Sequence, residues 1–472
     1  MFSIPIAVAV VLVVATVAAS SAVTAAVLVG CILAALTGPR RAVQALMVAT
    51  LVAFGNINII KPAPMEGVLL RLVLVAAVLR ILPTIRGTDL RLLWPVWLFS
   101  IVEALTSIQT SPAMSISLMK VTEFICGITA VLVAYNHVKP SQLPGLQRWV
   151  FTVSLTVVGL SALTLLKPGL GLGGDGGLQG LLNQPQALGI FMAPFAAWFI
   201  AGTLLMRRQA TRLELFAALS LLVLIVLSKA RTAGFAAAIG VIVVVVGRAL
   251  GRRRMGQAAL GRPILIGILA CMIIAGLAVS TGAVSKIANE YLYKSSFGHA
   301  TNLDQAFYAS RGGGALGEWD DFLRKPLLGN GFGVYPDGHF PSGVQRFDGI
   351  PISAPVEKGF LPTAVLQEGG ALGGALLLLI VGTLCRRTWR NTDLRWRAMF
   401  VACLGVNAGE CVFMSPGGFG MFEWLLLTLA MFSYRTQALP VALGPLPQST
   451  APSPEERPEP LFDSPPYLRP SA

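Results

Sequence analysis

The chain has 472 residues, 55% hydrophobic and 12% charged, where an ordinary soluble domain carries about 25% charged residues. Apolar windows near the roughly 20 residues needed to cross a bilayer recur along its length, which excludes a single soluble core and marks an integral membrane protein. The formal charge of +14 comes from arginines in short clusters between apolar windows, so it reads as a topology signal and argues against a nucleic-acid partner.

In chain order, spans are expected over roughly 4–18, 21–37, 42–60, 67–83, 92–109, 117–135, 149–166, 186–206, 213–228, 232–249, 263–281, 364–385, 397–413 and 419–435. Residues 4–37 read either as two short helices hinged at Ser20-Ser21 or as one long tilted helix, so the windows number 13 or 14, and the fold class is an all-α polytopic membrane protein of about 12–14 transmembrane helices. The N-terminus lacks a basic n-region and its apolar stretch is followed by further spans, which reads as an anchor and not a cleaved signal peptide. Cys31, Cys126, Cys271, Cys385, Cys403 and Cys411 lie in or beside apolar windows without CxxC spacing, so neither a disulfide framework nor a zinc site is expected.

Arg40-Arg41, Arg86 with Arg91, Lys139 with Arg148, Arg207-Arg208-Arg212, Arg248 with Arg252-Arg253-Arg254, Arg386-Arg387-Arg390 and Arg435 fall in alternate loops. The positive-inside rule places those loops in the cytoplasm. The other side then receives Lys61, Ser107 to Ser115, the glycine-rich loop Lys167 to Gln186, the junction Lys229-Ala230-Arg231 and one long polar segment. The organisation read from this is an N-terminal bundle (1–282), an extracytoplasmic loop with short amphipathic helices (283–361), C-terminal spans (362–437) and a Pro/Ser/Glu-rich cytoplasmic tail (438–472) whose composition cannot bury a core. An interruption of that length is too long for a plain connector.

The glycine-rich loop, with Gly173-Gly174-Asp175-Gly176-Gly177, reads either as tight turns suited to close ligand approach or as a flexible connector. Arg231 opens a span at the outer interface, as an anion ligand beside a helix N-terminus or as a snorkelling anchor. Arg311 is a second candidate anion ligand, followed by Trp319, Phe322 and Leu323 at the spacing of a short amphipathic helix on the membrane surface. Glu318, Asp320 and Asp321 would form its wet face. Glu357 and Lys358 precede an apolar helical run, where a carboxylate can serve as general base on an acceptor hydroxyl or as a structural partner for a nearby cation. His137 falls on the cytoplasmic side; His299 and His339 lie in the long segment without metal-ligand spacing, so no metal site is expected. Among intramembrane acids, Glu123 has Lys120 three residues before it as a local partner, while Glu103 and Glu410 fit packing, an aqueous cavity or a proton path.

Four fragments, in order, resemble the O-antigen ligase and Wzy-type polysaccharide polymerase superfamily over roughly residues 184–379. They are Asn183-Gln184-Pro185-Gln186-Ala187-Leu188; Ser228-Lys229-Ala230-Arg231-Thr232-Ala233-Gly234; Ser310-Arg311-Gly312 with Trp319 and Lys325-Pro326-Leu327-Leu328-Gly329-Asn330-Gly331-Phe332-Gly333; and Gly359-Phe360-Leu361 through Gln367-Glu368-Gly369-Gly370-Ala371-Leu372-Gly373. The resemblance implies a class C-like glycosyltransferase fold in the bacterial inner membrane. It implies a metal-independent, inverting transfer of a glycan from undecaprenyl diphosphate to a lipid or glycan acceptor, with no cofactor and with membrane lipid as surroundings. Arg231 and Arg311 would bind the pyrophosphate. The family's histidine position is occupied by Glu357, so the base is Glu357 or, from the loop, His339, or the chain lacks transferase activity. A transporter or flippase of lipid-linked glycans, using Glu103, Glu123 and Glu410, is the alternative, although no internal repeat accompanies it.

Overall fold

Helix starts in this chain follow from local chemistry. Ser20 caps α1 (Ser21–Thr37) by accepting from the Ala22 amide at 3.1 Å. Pro39 opens α2 (Pro39–Ala53), where its missing N–H and fixed φ are tolerated. The Asp89 carboxylate accepts the Arg86 amide at 2.7 Å at the start of the helix Gly87–Thr110, and Thr211 and Glu214 form a reciprocal capping box at the start of the helix Arg212–Leu227. The computed structural model describes residues 20–63, 65–174, 176–205, 211–254, 313–340, 343–356 and 358–437.

After α1 and α2 come α3 (Glu66–Ile81), α4 (Gly87–Thr110), α5 (Met114–His137), α6 (Leu143–Leu163), α7 (Pro185–Leu205), α8 (Arg212–Leu227) and α9 (Arg231–Arg254). Then follow the surface helix α10 (Gly313–Arg324), a two-stranded antiparallel hairpin β1 (Gln345–Phe347) and β2 (Ile350–Ser353), and α11 (Leu361–Thr388), α12 (Leu394–Val406) and α13 (Gly420–Phe432). The chain is a mostly helical, multi-pass membrane protein. Among the described residues, α3, α4, α5, α6, α7, α9 and α11 are long and apolar enough to cross a bilayer.

Each expected span within the described residues coincides with a helix, but three details differ. The windows at 42–60 and 397–413 end early, at Ala53 and Val406, because the chain turns into irregular segments whose polar groups are tied to other loops. The hairpin departs from a purely helical architecture and packs over the start of α3, where Gln345 and Ile352 approach Gly67. The windows 4–18 and 263–281, Asp175, His299, Arg311, Glu357 and the tail from 438 lie outside the described residues.

Two aromatic clusters centre the bundle. Phe99, Phe124, Phe332, Phe413 and Trp424 stack around one point, with neighbouring centroids between 4.4 and 6.4 Å. Phe151, Phe195, Trp198, Phe199 and Trp396 form the second. Leu33, Leu79, Phe216 and Leu378 point outward, as expected for faces solvated by lipid rather than by water.

The two ends of the bundle differ in chemistry. One is tied by arginines: Arg435 donates to the Tyr135 and Asn136 carbonyls, Arg248 to the Leu205 carbonyl, and Arg395 pairs with Asp393 and Glu214. His137 is at this end too, 3.0 Å from Asp89. The other end gathers residues 54–61, 107–120, 170–174, 176–183, 227–232, 326–340, 354–356, 358–361 and 407–418, linked by backbone hydrogen bonds and close packing. There the glycine-rich loop is held in place and is not a loose connector. The Asn56 amide group donates to the Leu170 and Gly180 carbonyls, the Ser161 hydroxyl accepts the Leu181 amide, and the Leu178 amide bonds the Leu227 carbonyl.

α11 is broken at Gly370, where φ is 63° and ψ is −163°. A Cβ at Gly370 would collide with the Leu327 backbone, whereas Gly382 in the same helix faces open space. Gly370→Ala is therefore expected to destabilise by on the order of 1–3 kcal/mol and Gly382→Ala to be near neutral, read as thermal unfolding midpoints in detergent.

Candidate functional site

The break in α11 strands polar backbone groups that lipid cannot satisfy. The segment 326–331 satisfies them. The carbonyls of Gln367 and Glu368 accept from the Asn330 and Gly331 amides at 2.8 and 2.9 Å, and the Ala371 amide donates to the Pro326 carbonyl at 2.8 Å. Gly329, Gly331 and Gly333 adopt φ values of 67°, 100° and 66°, and side chains there would strike α11, Ser111 and Lys120. The Gly-x-Gly-x-Gly spacing is thus explained by close approach in the left-handed region.

Charge lies directly beneath. Lys358 is buried, donating to the Glu368 carboxylate at 2.7 Å and the Val334 carbonyl at 3.2 Å. Lys120 donates to the neighbouring Gly333 carbonyl at 2.5 Å. Glu103 is 1% exposed, its carboxylate set against Gly369 and Gly373. Both Glu103 oxygens and Oε2 of Glu368 lack a hydrogen-bond partner among the described residues.

Residues 407–419 run between the short helices α12 and α13 and bridge this cluster to the start of α9. The Cys411 amide donates to the Lys358 carbonyl at 3.1 Å, and the Leu361 amide to the Asn407 carbonyl at 3.0 Å. On the same segment Gly409 lies flush against the Thr232 side chain, leaving no room for a Cβ. Asn407 is in turn fixed by Glu423 at 2.6 Å and by the Phe413 amide at 2.8 Å.

Among the residues singled out from sequence, Arg231 is half-buried at the first turn of α9, after a turn in which Lys229 has φ 54°. His339 is exposed, its amide bonded to Asp337. Glu410 follows α12 in the bridging segment, not inside a span. Glu357 and Arg311 lie outside the described residues, each immediately beside described chain.

Two expectations are corrected. Glu123 pairs with Arg71 of α3 at 2.8 Å, because Lys120 is drawn to the Gly333 carbonyl. The acids of α10 do not form a common wet face. Asp320 is exposed, but Glu318 is buried and accepts from the Thr363 hydroxyl, while Asp321 accepts from Gln367 at 2.7 Å. α11 presents its polar face there, so the acids turn toward protein and Leu316, Trp319 and Leu323 turn outward. The sequence reading named Lys358 only beside Glu357, and missed Glu368 and Arg71 as organising residues. A charge beside an apolar window was the available signal.

Comparison with protein-family models and with curated proteins gives no match.

Breaking a buried pair leaves an uncompensated charge, so Lys358→Met is expected to lower stability by about 3–5 kcal/mol, and Lys358→Met with Glu368→Met by less; thermal unfolding in detergent tests both. Burial pushes the Glu318 carboxyl above its ordinary 4.5, opposed by the Thr363 hydroxyl. The folded state then holds that proton more tightly than the unfolded chain. Its stabilising contribution is full below the ordinary value and is lost as pH rises through the folded one. Hydrogen-exchange protection of residues 313–324, corrected for intrinsic rates, should fall over that rise in the native chain and stay flat in Glu318→Gln.

Proposed function

We propose that this protein transfers a glycan from a polyprenyl diphosphate carrier to an acceptor hydroxyl on the extracytoplasmic face of a bacterial inner membrane. The observation that carries the reading is the bridging segment. Lys358, next to Glu357, and Thr232, next to Arg231, are held by residues 409–411 although far apart in sequence. Described residues of all four fragments that resemble the O-antigen ligase and polysaccharide polymerase superfamily lie at this same end of the bundle. The positive-inside rule makes the opposite, arginine-tied end cytoplasmic, together with the chain after α13.

The chemistry asks little beyond placement. Glu357 takes the proton of the acceptor hydroxyl as that oxygen attacks the anomeric carbon from the face opposite the diphosphate. The bond from the anomeric carbon to the diphosphate oxygen breaks, configuration inverts, and the diphosphate leaves on its lipid. Arg231 and Arg311 stabilise the developing negative charge. Lys358, clamped by Glu368 and Val334, fixes the backbone directly after the base. His339 serves as base only if the exposed loop that carries it folds over the site.

A transport reading draws on the broken α11 and on buried Glu103 and Glu368, since discontinuous helices line transporter sites. The leaflet in which lipid-linked glycan accumulates in a deletion strain separates the two: outer for a transferase, inner for a flippase. Within the transferase reading, accumulated long lipid-linked chains mean a ligase and accumulated single repeats a polymerase. Arg231→Ala and Glu357→Gln copies are expected to reach the membrane at wild-type level yet fail to restore the glycan profile by gel and mass spectrometry. Full restoration by either removes that residue from the site.

A further inference from the structure

Three buried carboxylate oxygens beside the break in α11 lack a hydrogen-bond partner among the described residues: both of Glu103 and Oε2 of Glu368. Glu103, on α4, is 1% exposed, and its carboxylate is seated on Gly369 and Gly373, one on each side of the break. Glu368 gives its other oxygen to Lys358 at 2.7 Å, and both of those side chains are buried. Glu368 and Lys358 are the charged groups that act on Glu103. Lys120 of α5, Glu318 of α10 and the Cys411 thiol act in turn on those two.

A carboxylate buried as an anion needs donors, and going without them is costly. The donors at hand are committed elsewhere. The Ala371 and Leu372 amides, freed by the break, go to the Pro326 and Leu327 carbonyls; Lys358 goes to Glu368 and Val334, and Lys120 to Gly333. A hard metal ion would need about six oxygens around it. Oε1 of Glu103 already occupies the space that a Cβ would take at Gly369 and Gly373, and no group of three or more metal-ligating side chains occurs among the described residues. A proton needs no such room. Placed on Glu103, it removes one of two like charges that face a single ammonium, and it converts an orphaned acceptor into an O–H donor for the free oxygen of Glu368.

We propose that Glu103 and Glu368 form a proton-binding site, with Glu103 as the acid and its O–H turned to Oε2 of Glu368, and that the bound proton latches the break in α11. Glu368 is the point of leverage. Its side chain is held by Lys358, while its own carbonyl accepts the Gly331 amide that stitches the break. Departure of the proton sets two anions against one ammonium between α4 and α11, which loosens residues 326–331. The ligand is a proton whatever the chain transfers, so the inference stands apart from the transferase reading.

Infrared spectra of the full chain in a maltoside detergent test it, with folding verified by the unfolding midpoint. Near neutral pH, the difference between wild type and Glu103→Gln is expected to show the C=O stretch of a protonated carboxyl and no carboxylate band. Glu368→Gln releases Lys358, so Glu103 is expected to ionise and pair with it, and the protonated band is lost although Glu103 is retained. Hydrogen exchange of the Asn330 and Gly331 amides, corrected for intrinsic rates, gives the second readout. Protection should be full while the proton is bound and fall as rising pH removes it; in Glu103→Gln, whose side-chain amide keeps a donor in place, it should stay flat. A carboxylate band for Glu103 in the wild type, as for an anion held by buried water or sodium, would overturn the proposal. So would a protonated band that survives in Glu368→Gln, or exchange at 330–331 with the same pH dependence in Glu103→Gln as in wild type.

Discussion

The site end depends on one interaction, the stitching of residues 326–331 into the break of α11. A helix interrupted at membrane depth has amides and carbonyls that lipid cannot satisfy, and each left bare costs several kcal/mol. Here the segment before the break accepts and donates in turn, so both backbones are satisfied together. The glycines at 329, 331 and 370 are the condition for it, since each occupies positive φ at a contact without room for a side chain. Once stitched, the segment delivers the Gly333 and Val334 carbonyls to Lys120 and Lys358, and Phe332 to the aromatic centre.

Much of the fold was legible because lipid imposes a simple rule: apolar windows of spanning length become helices. The arginine pattern was legible for a related reason, and two of its members, Arg248 and Arg435, tie helix termini together at one end of the bundle. The chain resisted reading where a polar group chose a partner distant in sequence. Lys120 was the obvious neighbour for Glu123 on α5, but a carbonyl supplied from residue 333 captured the lysine and left the carboxylate to Arg71. Glu318 and Asp321 looked solvated because a twelve-residue helix alone gives no hint that Thr363 and Gln367 face it. The Gly369-Gly370 pair was the one local sign of the break, and it is easily read as ordinary small-residue packing in a membrane helix.

The candidate site shows the same division. Its residue types were visible in the sequence, but their common address was not, because the joining element is an irregular segment between two short helices that hydropathy reads as one window running too far and another beginning too late. Residues 407–419 offer amides and small side chains to two other segments at once. The buried charges beneath, Lys358 with Glu368 and Glu103 close by, are a poor bargain for stability alone. Buried ionisable groups in a membrane protein mark a functional site by default.

The most direct measurement is turnover by the purified full chain in nanodiscs, supplied with a polyprenyl diphosphate-linked glycan and an acceptor glycolipid, with products resolved by mass spectrometry and the new anomeric linkage assigned by NMR. The account predicts glycan on the acceptor, stoichiometric release of polyprenyl diphosphate and inverted configuration, all without added metal. Intact donor after prolonged incubation, in a preparation whose folding is verified by its unfolding midpoint, would contradict it.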